Sequence, residues 1–442
     1  MAAAPTPRIR FMQRAALTLL VLSGVVNYID RATLAIANPL VRHDLGLSIN
    51  DMGYLLSAFL WAYAFAQLPA GALVDRLGPR LLLSLGLALW SGAQALGGLV
   101  RNFGEFFAAR MLLGLGEAPQ FPTGARVVKD WFPVRNRGLA TGIFNCASTL
   151  GNAIGAPLLT FLMLAFGWRW MFLIMGFAGL VVAGLWYLIY RDIETVSLSS
   201  EETATVTEGD PPGARAPTRF AEWRRLFRFR MTWGMILGYF GTIYLTWVYT
   251  AWLPGYLEIE RHMTIAKTGW AAAIPSVAGV VGGIFGGWIV DVLARLGLSP
   301  INARKVPMSL ALIGMALFTV LAAEVESNTV AIACISAAVF LGYATSSSCW
   351  AMASVAAPPN YTASIGAIQN FGGYLGGALA PTVTALIVTK TGSFVPALLV
   401  GAAIGVFSAI AYFVVIRGPI TAAALRGEDD LAAPIRAPAP GH

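Results

Sequence analysis

An all-α membrane protein with twelve transmembrane helices in two pseudo-symmetric halves of six is the fold class this sequence predicts, and three observations carry it. Of 442 residues, 57% are hydrophobic and only 12% charged, about half the charge of a soluble domain. Apolar runs of about 20 residues, enough to cross a bilayer, recur twelve times. A short pattern also repeats half a chain apart: Gly71-Ala-Leu-Val-Asp75 in the first half and Gly287-Trp-Ile-Val-Asp291 in the second.

Taken in order, the runs place helices near 15–36, 52–75, 81–99, 104–127, 138–163 and 170–190. After a polar stretch they resume near 231–256, 269–294, 305–324, 328–356, 362–389 and 394–416. Ser48-Ile-Asn-Asp51 fits a capping box that opens the second helix. Pro119, Pro122, Pro275 and Pro381 are expected to bend helices that line a cavity. The glycines of 279–287 and 372–377 allow close helix contact; a phosphate loop has no place inside a bilayer. The chain therefore divides into an N-terminal segment 1–14, a first half 15–190, a linker 191–230, a second half 231–417 and a tail 418–442. The start and the tail, rich in Ala and Pro, read as mobile, and the Ser/Glu- and Pro-rich centre reads as a linker rather than a domain.

The net charge of +8 would raise the question of nucleic acid in a soluble protein. Here its distribution answers it. With a cytoplasmic amino terminus, only Arg42, Arg101, Arg169, Arg261, Lys267 and Lys390 fall on the outer side, whereas 22 of the 30 Lys and Arg residues fall inside. This is the positive-inside bias, and it predicts both termini in the cytoplasm. The first run is too long for a cleaved leader and has no small-residue cleavage site. Cys146, Cys334 and Cys349 are odd in number and sit in apolar runs, which argues against disulfides and against a metal site. The three histidines, His43, His262 and His442, lie outside the runs. Neither a zinc-protease motif nor a nucleotide loop is present, so the reading is not an enzyme.

Asp30 and Arg31 in the first helix and Arg110 and Glu117 in the fourth are the chain's strongest functional signal. A charge at membrane depth costs about 2.5–3.5 kcal/mol on insertion scales, so such residues mark pathways or proton relays. Asn27, Arg31 and Leu34 share a face of helix one, with Tyr28 and Asp30 about 100° to either side. Arg110 and Glu117 are two turns apart and look the same way. The simplest arrangement pairs Asp30 with Arg110 and leaves Arg31 and Glu117 near the cavity. Static ion bridges holding helix one to helix four are the plainer alternative. At the cytoplasmic mouth, Asp75, Arg76, Arg80, Asp291 and Arg295 are expected to act as gates between two halves that must separate there; the alternative is that they only fix topology.

GALVDRLGPR at 71–80 resembles the loop signature of the major facilitator superfamily. Asn27-Tyr-Ile-Asp-Arg31-Ala-Thr-Leu-Ala-Ile-Ala, Gly116-Glu-Ala-Pro-Gln-Phe-Pro122 and Asp130-Trp-Phe-Pro133 resemble its anion:cation symporter family. That family includes bacterial galactonate/proton symporters and the glucarate, hexuronate, tartrate and phthalate permeases, and it is related to sialin. The resemblance covers 15–416. It implies proton-coupled symport of an organic carboxylate, most simply a sugar acid, across the bacterial inner membrane by alternating access. Arg31 would meet the carboxylate, and Asp30 and Glu117 would carry protons, tuned by Arg110. No cofactor beyond the coupling proton is expected; the partners are the organic anion, protons and the bilayer, and the expected state is a monomer. Among softer polar groups, Tyr28, Tyr63, Ser347, Trp350 and Asn370 match pocket positions of the family's galactonate symporters. For Ser347 and Trp350, hydrogen bonding or packing stands beside ligand contact.

Ser148 and Tyr239 stand where those symporters carry glutamines that bind sugar hydroxyls. The departure keeps open an importer of a smaller or more apolar acid, such as phthalate or tartrate. An uncoupled uniporter or sensor would have little use for Asp30 and Glu117. A proton/drug antiporter of the same fold would not need Arg31.

Overall fold

The structure, a computed structural model, describes residues 6–208, 224–358 and 361–426. The linker's 209–223, the chain ends at 1–5 and 427–442 and the Asp75 side chain lie outside the described residues. Among the described residues all regular structure is helical: α1 Pro7–Leu45, α2 Ile49–Gly97, α3 Phe103–Glu117, α4 Gln120–Trp131, α5 Val134–Phe166 and α6 Trp168–Ile189 form the first half. A short α7, Ser200–Val206, follows. The second half comprises α8 Arg230–Ile259, α9 Ile265–Arg295, α10 Asn302–Glu324, α11 Asn328–Ala356, α12 Thr362–Thr391 and α13 Val395–Val415, and α14 Ala422–Arg426 closes the described chain.

Eight described helices are long and apolar enough to cross a membrane by length and composition alone. The rest of the twelve-span layout is more irregular. The predicted second and third helices run on as α2, interrupted only at Gly78, whose φ of 78° and ψ of 152° are not helical. The predicted fourth helix is broken at Ala118-Pro119 into α3 and α4, because Pro119 cannot continue the ladder of backbone hydrogen bonds. In α8, Tyr, Trp, Thr and Gly dilute the apolar signal. The capping box at Ser48 and Asp51 is formed.

Large apolar side chains such as Phe161, Trp170, Phe177, Trp270, Ile284 and Phe407 are exposed around the bundle. In water so much exposed apolar area marks a liability; around a membrane protein it is the lipid-facing surface. Inside each half, backbones approach closely where glycine leaves room. A Cβ at Gly282 or Gly286 of α9 would strike the α11 backbone at Phe340 or Ala344.

The halves touch near the midplane and at the end away from the chain termini. At that end Thr382 of α12 donates to Ser57 Oγ of α2 at 2.8 Å, Thr389 donates to Asn50 at 2.9 Å, and Gly269 of α9 abuts Thr160 of α5.

Two segments expected to be loose are docked. Helix α1 starts at Pro7, capped by Thr6, and Ile9 is fully buried. The Thr6 hydroxyl donates to Glu202 of α7 at 2.8 Å, and Arg8 donates to the Ser197 carbonyl at 3.1 Å. This part of the linker therefore folds back onto the first half. In the tail, Ile420 N–H donates to the Ala356 carbonyl and Arg225 donates to that of Leu425, with Ile420 and Leu425 buried. Apolar side chains in otherwise polar sequence explain both departures: Ile9, Val206, Ile420 and Leu425 each find a core to enter.

Candidate functional site

Helix α1 carries Asp30 and Arg31 into the middle of the first half, and α3 brings Arg110 and Glu117 to meet them. All four are at most 3% exposed. The ion pair formed is Arg31 Nε to Glu117 Oε2 at 2.8 Å, and Arg31 Nη1 donates to Tyr374 Oη of α12 at 3.1 Å. The expected Asp30–Arg110 bridge is not made. Both Asp30 oxygens and Arg110 Nε and Nη1 are without a hydrogen-bond partner among the described residues. Neighbours on a helix diverge by about 100°, so Arg31 takes the direction that reaches Glu117 while Asp30 turns aside.

Aromatic rings surround the guanidinium. Its carbon lies 4.7 Å from the Tyr28 centroid, 4.7 Å from Tyr63 and 5.4 Å from Phe59. Phe59 also faces Arg110 at 5.1 Å, and Tyr63 packs on Tyr374 at 4.6 Å. Ring faces stabilise a desolvated cation by about 2 kcal/mol, which offsets part of the cost of holding two arginines here. A guanidinium stays charged at all relevant pH and presents a planar fork of donors that matches a carboxylate. Arg31 Nη2 and Glu117 Oε1 have no hydrogen-bond partner among the described residues, so the pair retains capacity for a further donor or acceptor.

The structure thus brings Tyr28, Asp30, Arg31, Tyr63, Arg110 and Glu117 together. Tyr239 and Trp350 form a second group in the other half, their rings edge to face at 6.4 Å. Asn370 donates across the halves to Gln67 of α2 at 2.6 Å. Two predicted hydroxyls are otherwise engaged: Ser148 donates to the Asn145 carbonyl within its own helix, and Ser347 to the Gly283 carbonyl of α9.

Of the expected gates, Arg76, Asp291 and Arg295 are exposed and form no ion pair among the described residues. Arg80 is tied within its own half: its backbone N–H donates to Asp192, its Nε to the Tyr187 carbonyl, and its guanidinium covers the Tyr187 ring at 4.4 Å.

Sequence reading missed Tyr374, Phe59, Gln67, Asn152 and Tyr343. An aromatic inside the glycine run 372–377 was the available signal for Tyr374. For the others no local pattern pointed inward.

A twelve-span bundle that buries charge inside its first half, with Arg31 bonded across to Tyr374 of the second, has the build of a membrane transporter and not of an enzyme. Comparison with known proteins agrees: residues 20–381 match the Major Facilitator Superfamily, and the chain belongs to that family. It is 42% identical over 413 residues to a probable L-galactonate transporter of Escherichia coli strain K12, covering 93% of this chain and 91% of that protein. It is 31% identical to the D-galactonate transporter of Escherichia coli O6:H1, covering 90% and 94%. In fold it is similar to the crystal structure of a bacterial homologue of the human lysosomal transporter Spinster, inward-facing and unoccupied, with TM-score 0.77 and 18% identity over 93% of this chain and 98% of that one.

Proposed function

We propose that this protein takes up a sugar acid of the galactonate type together with protons across the bacterial inner membrane, as a multi-pass carrier with both termini in the cytoplasm. The Arg31–Glu117 ion pair, buried between rings at membrane depth, is the observation that carries the reading. The substrate carboxylate is a chemical copy of the Glu117 carboxylate, so the two compete for one guanidinium. A proton on Glu117 removes its charge and frees Arg31 for the anion. Asp30, buried beside them with no hydrogen-bond partner for its oxygens among the described residues, holds the second proton. In this way occupancy by anion and by proton favour each other, which is what symport requires. The galactonate transporters among the relatives support the substrate class.

Cross-half contacts at the end remote from the termini correspond to a carrier closed outside and open inside. When the halves rock around the midplane site, Asp75, Arg76, Asp291 and Arg295 come to guard the inner mouth. Protons enter from outside with the anion, and their loss inside returns Glu117 to Arg31 and expels the substrate.

Uptake of L-galactonate into proteoliposomes under an inward proton gradient tests the reading. Asp30→Asn and Glu117→Gln each abolish accumulation against a gradient, while exchange of external for internal substrate persists. Accumulation by both variants would overturn it.

A further inference from the structure

Beside Arg31, the small side chains of Ala32 and Ala35 leave a cavity of about 80 Å³ between the two halves. The lining is largely apolar, and the polar groups in it carry no charge: among them are Asn152 of α5, Thr246 of α8, Ser276 of α9 and Tyr343 of α11. Asn152 Nδ2 donates to Tyr343 Oη at 2.8 Å, and this bond joins the first half to the second. Both residues are half-buried, so their remaining donors and acceptors face the cavity. The Tyr343 ring is seated against Gly279 of α9, where a Cβ would come within 2.8 Å of Cδ2, which fixes the direction of the phenol. On α1, Arg31 directly precedes the cavity-lining Ala32 and stands one turn before Ala35. Ser148, the candidate for sugar hydroxyls on the same helix as Asn152, spends its proton on a backbone carbonyl.

We propose that Asn152 and Tyr343 form the hydroxyl-recognition subsite, exchanging their mutual hydrogen bond for bonds to the hydroxyls of an acid whose carboxylate is held by Arg31. This rests on the sugar-acid reading and adds to it the residues that tell a polyhydroxylated acid from a plain one. An amide offers donors and an acceptor, and a phenol one of each. The pair therefore serves neighbouring hydroxyls of one sugar chain from both halves at once. A substrate without hydroxyls would leave the Asn152–Tyr343 pair to itself and gain nothing there.

The test is the Kd for L-galactonate of the purified full-length carrier and of its Tyr343→Phe and Asn152→Ala variants, together with the concentration of hexanoate that displaces half the bound L-galactonate, normalised to each Kd. Hexanoate has the same chain length and charge without the hydroxyls. Each variant is expected to bind L-galactonate about five- to tenfold more weakly, with the inhibition constant of hexanoate unchanged within about twofold. Tyr343→Phe removes one oxygen and keeps the ring on Gly279, so it preserves the fold even if Asn152→Ala does not. An unchanged L-galactonate Kd in Tyr343→Phe, or equal weakening for both acids, overturns the subsite while leaving the sugar-acid reading in place. Failure of the unsubstituted carrier to bind L-galactonate, with hexanoate or another carboxylate bound, overturns that reading and the subsite with it.

Discussion

At Arg31 one side chain meets a carboxylate, a phenol and three aromatic faces. A lysine keeps the charge but has neither the fork nor the flat surface. Arg31→Lys should therefore weaken anion binding by tenfold or more, read as the Kd for L-galactonate, while the fold persists. At the partner position, Glu117→Gln leaves the guanidinium without a counter-charge in a dry site, where breaking a buried pair costs about 3–5 kcal/mol. Carboxylate substrate then supplies the missing charge, so the variant should be stabilised by L-galactonate more than the parent is, as a larger ligand-induced rise in Tm. Asp30 differs from Glu117 in having no hydrogen-bond partner among the described residues. These residues were legible as functional because charge is rare in apolar runs. Their pairing was not, because sequence spacing gives the direction of a side chain on its own helix and says nothing about which neighbour reaches it first.

Helices and their junctions carry a second set of constraints. At Gly78 the backbone has φ 78° and a Cβ would lie 2.7 Å from the Asp192 carboxylate. Gly78→Ala should cost about 1–3 kcal/mol from strain alone, seen as a lower Tm with substrate affinity retained. The contact also explains why the first part of the linker is ordered: Asp192 receives the Arg80 N–H and Glu194 binds Arg126 at 2.6 Å. Farther along, the Ser199 backbone N–H and then the Thr6 hydroxyl hold the Glu202 carboxylate below its usual pKa range. Its folded pKa is depressed, so its contribution is present above the unfolded carboxylate value of about 4.3 and is lost as pH falls through the folded value. A spin label at Ala204 in a cysteine-free chain should be immobile at neutral pH, and should gain mobility as pH falls through the depressed folded pKa of Glu202 or, at any pH, in Glu202→Gln.

Across the whole molecule, hydrogen bonds fasten the two halves at the end remote from the termini, while the expected gate residues at the other end stand exposed. Asn50 with Thr389, and Ser57 with Thr382, are hydrogen-bonded across the halves, whereas Arg76 and Asp291 are exposed. Cysteines at 50 and 389, in a chain lacking Cys146, Cys334 and Cys349, should cross-link readily and arrest transport. Cysteines at 76 and 291 should cross-link only when substrate and protons drive the carrier through its cycle. Cross-linking of both pairs at equal rates without substrate would count against the arrangement. Asn370 with Gln67 and Asn152 with Tyr343 are further cross-half bonds nearer the midplane, and the proposed rocking of the halves requires both to yield.

By itself the sequence determined the class of molecule: twelve apolar spans, a duplicated half and the helices that carry buried charge, with the Lys and Arg asymmetry as the ground for expecting the termini in the cytoplasm. Each of these rests on local composition or on spacing along one helix, where hydrophobic transfer and helical geometry act residue by residue. Tertiary structure alone decided that Arg31 binds Glu117 rather than leaving it to the cavity, and that Tyr374, from 343 residues away, completes the site. It also decided that Ser148 and Ser347 turn to backbone carbonyls and that Asn152 meets Tyr343. Those outcomes depend on how closely helices approach and how they rotate against one another. Glycines such as Gly279, Gly282 and Gly286 set that approach, and only side chains on the partner helix determine what fills the space they leave.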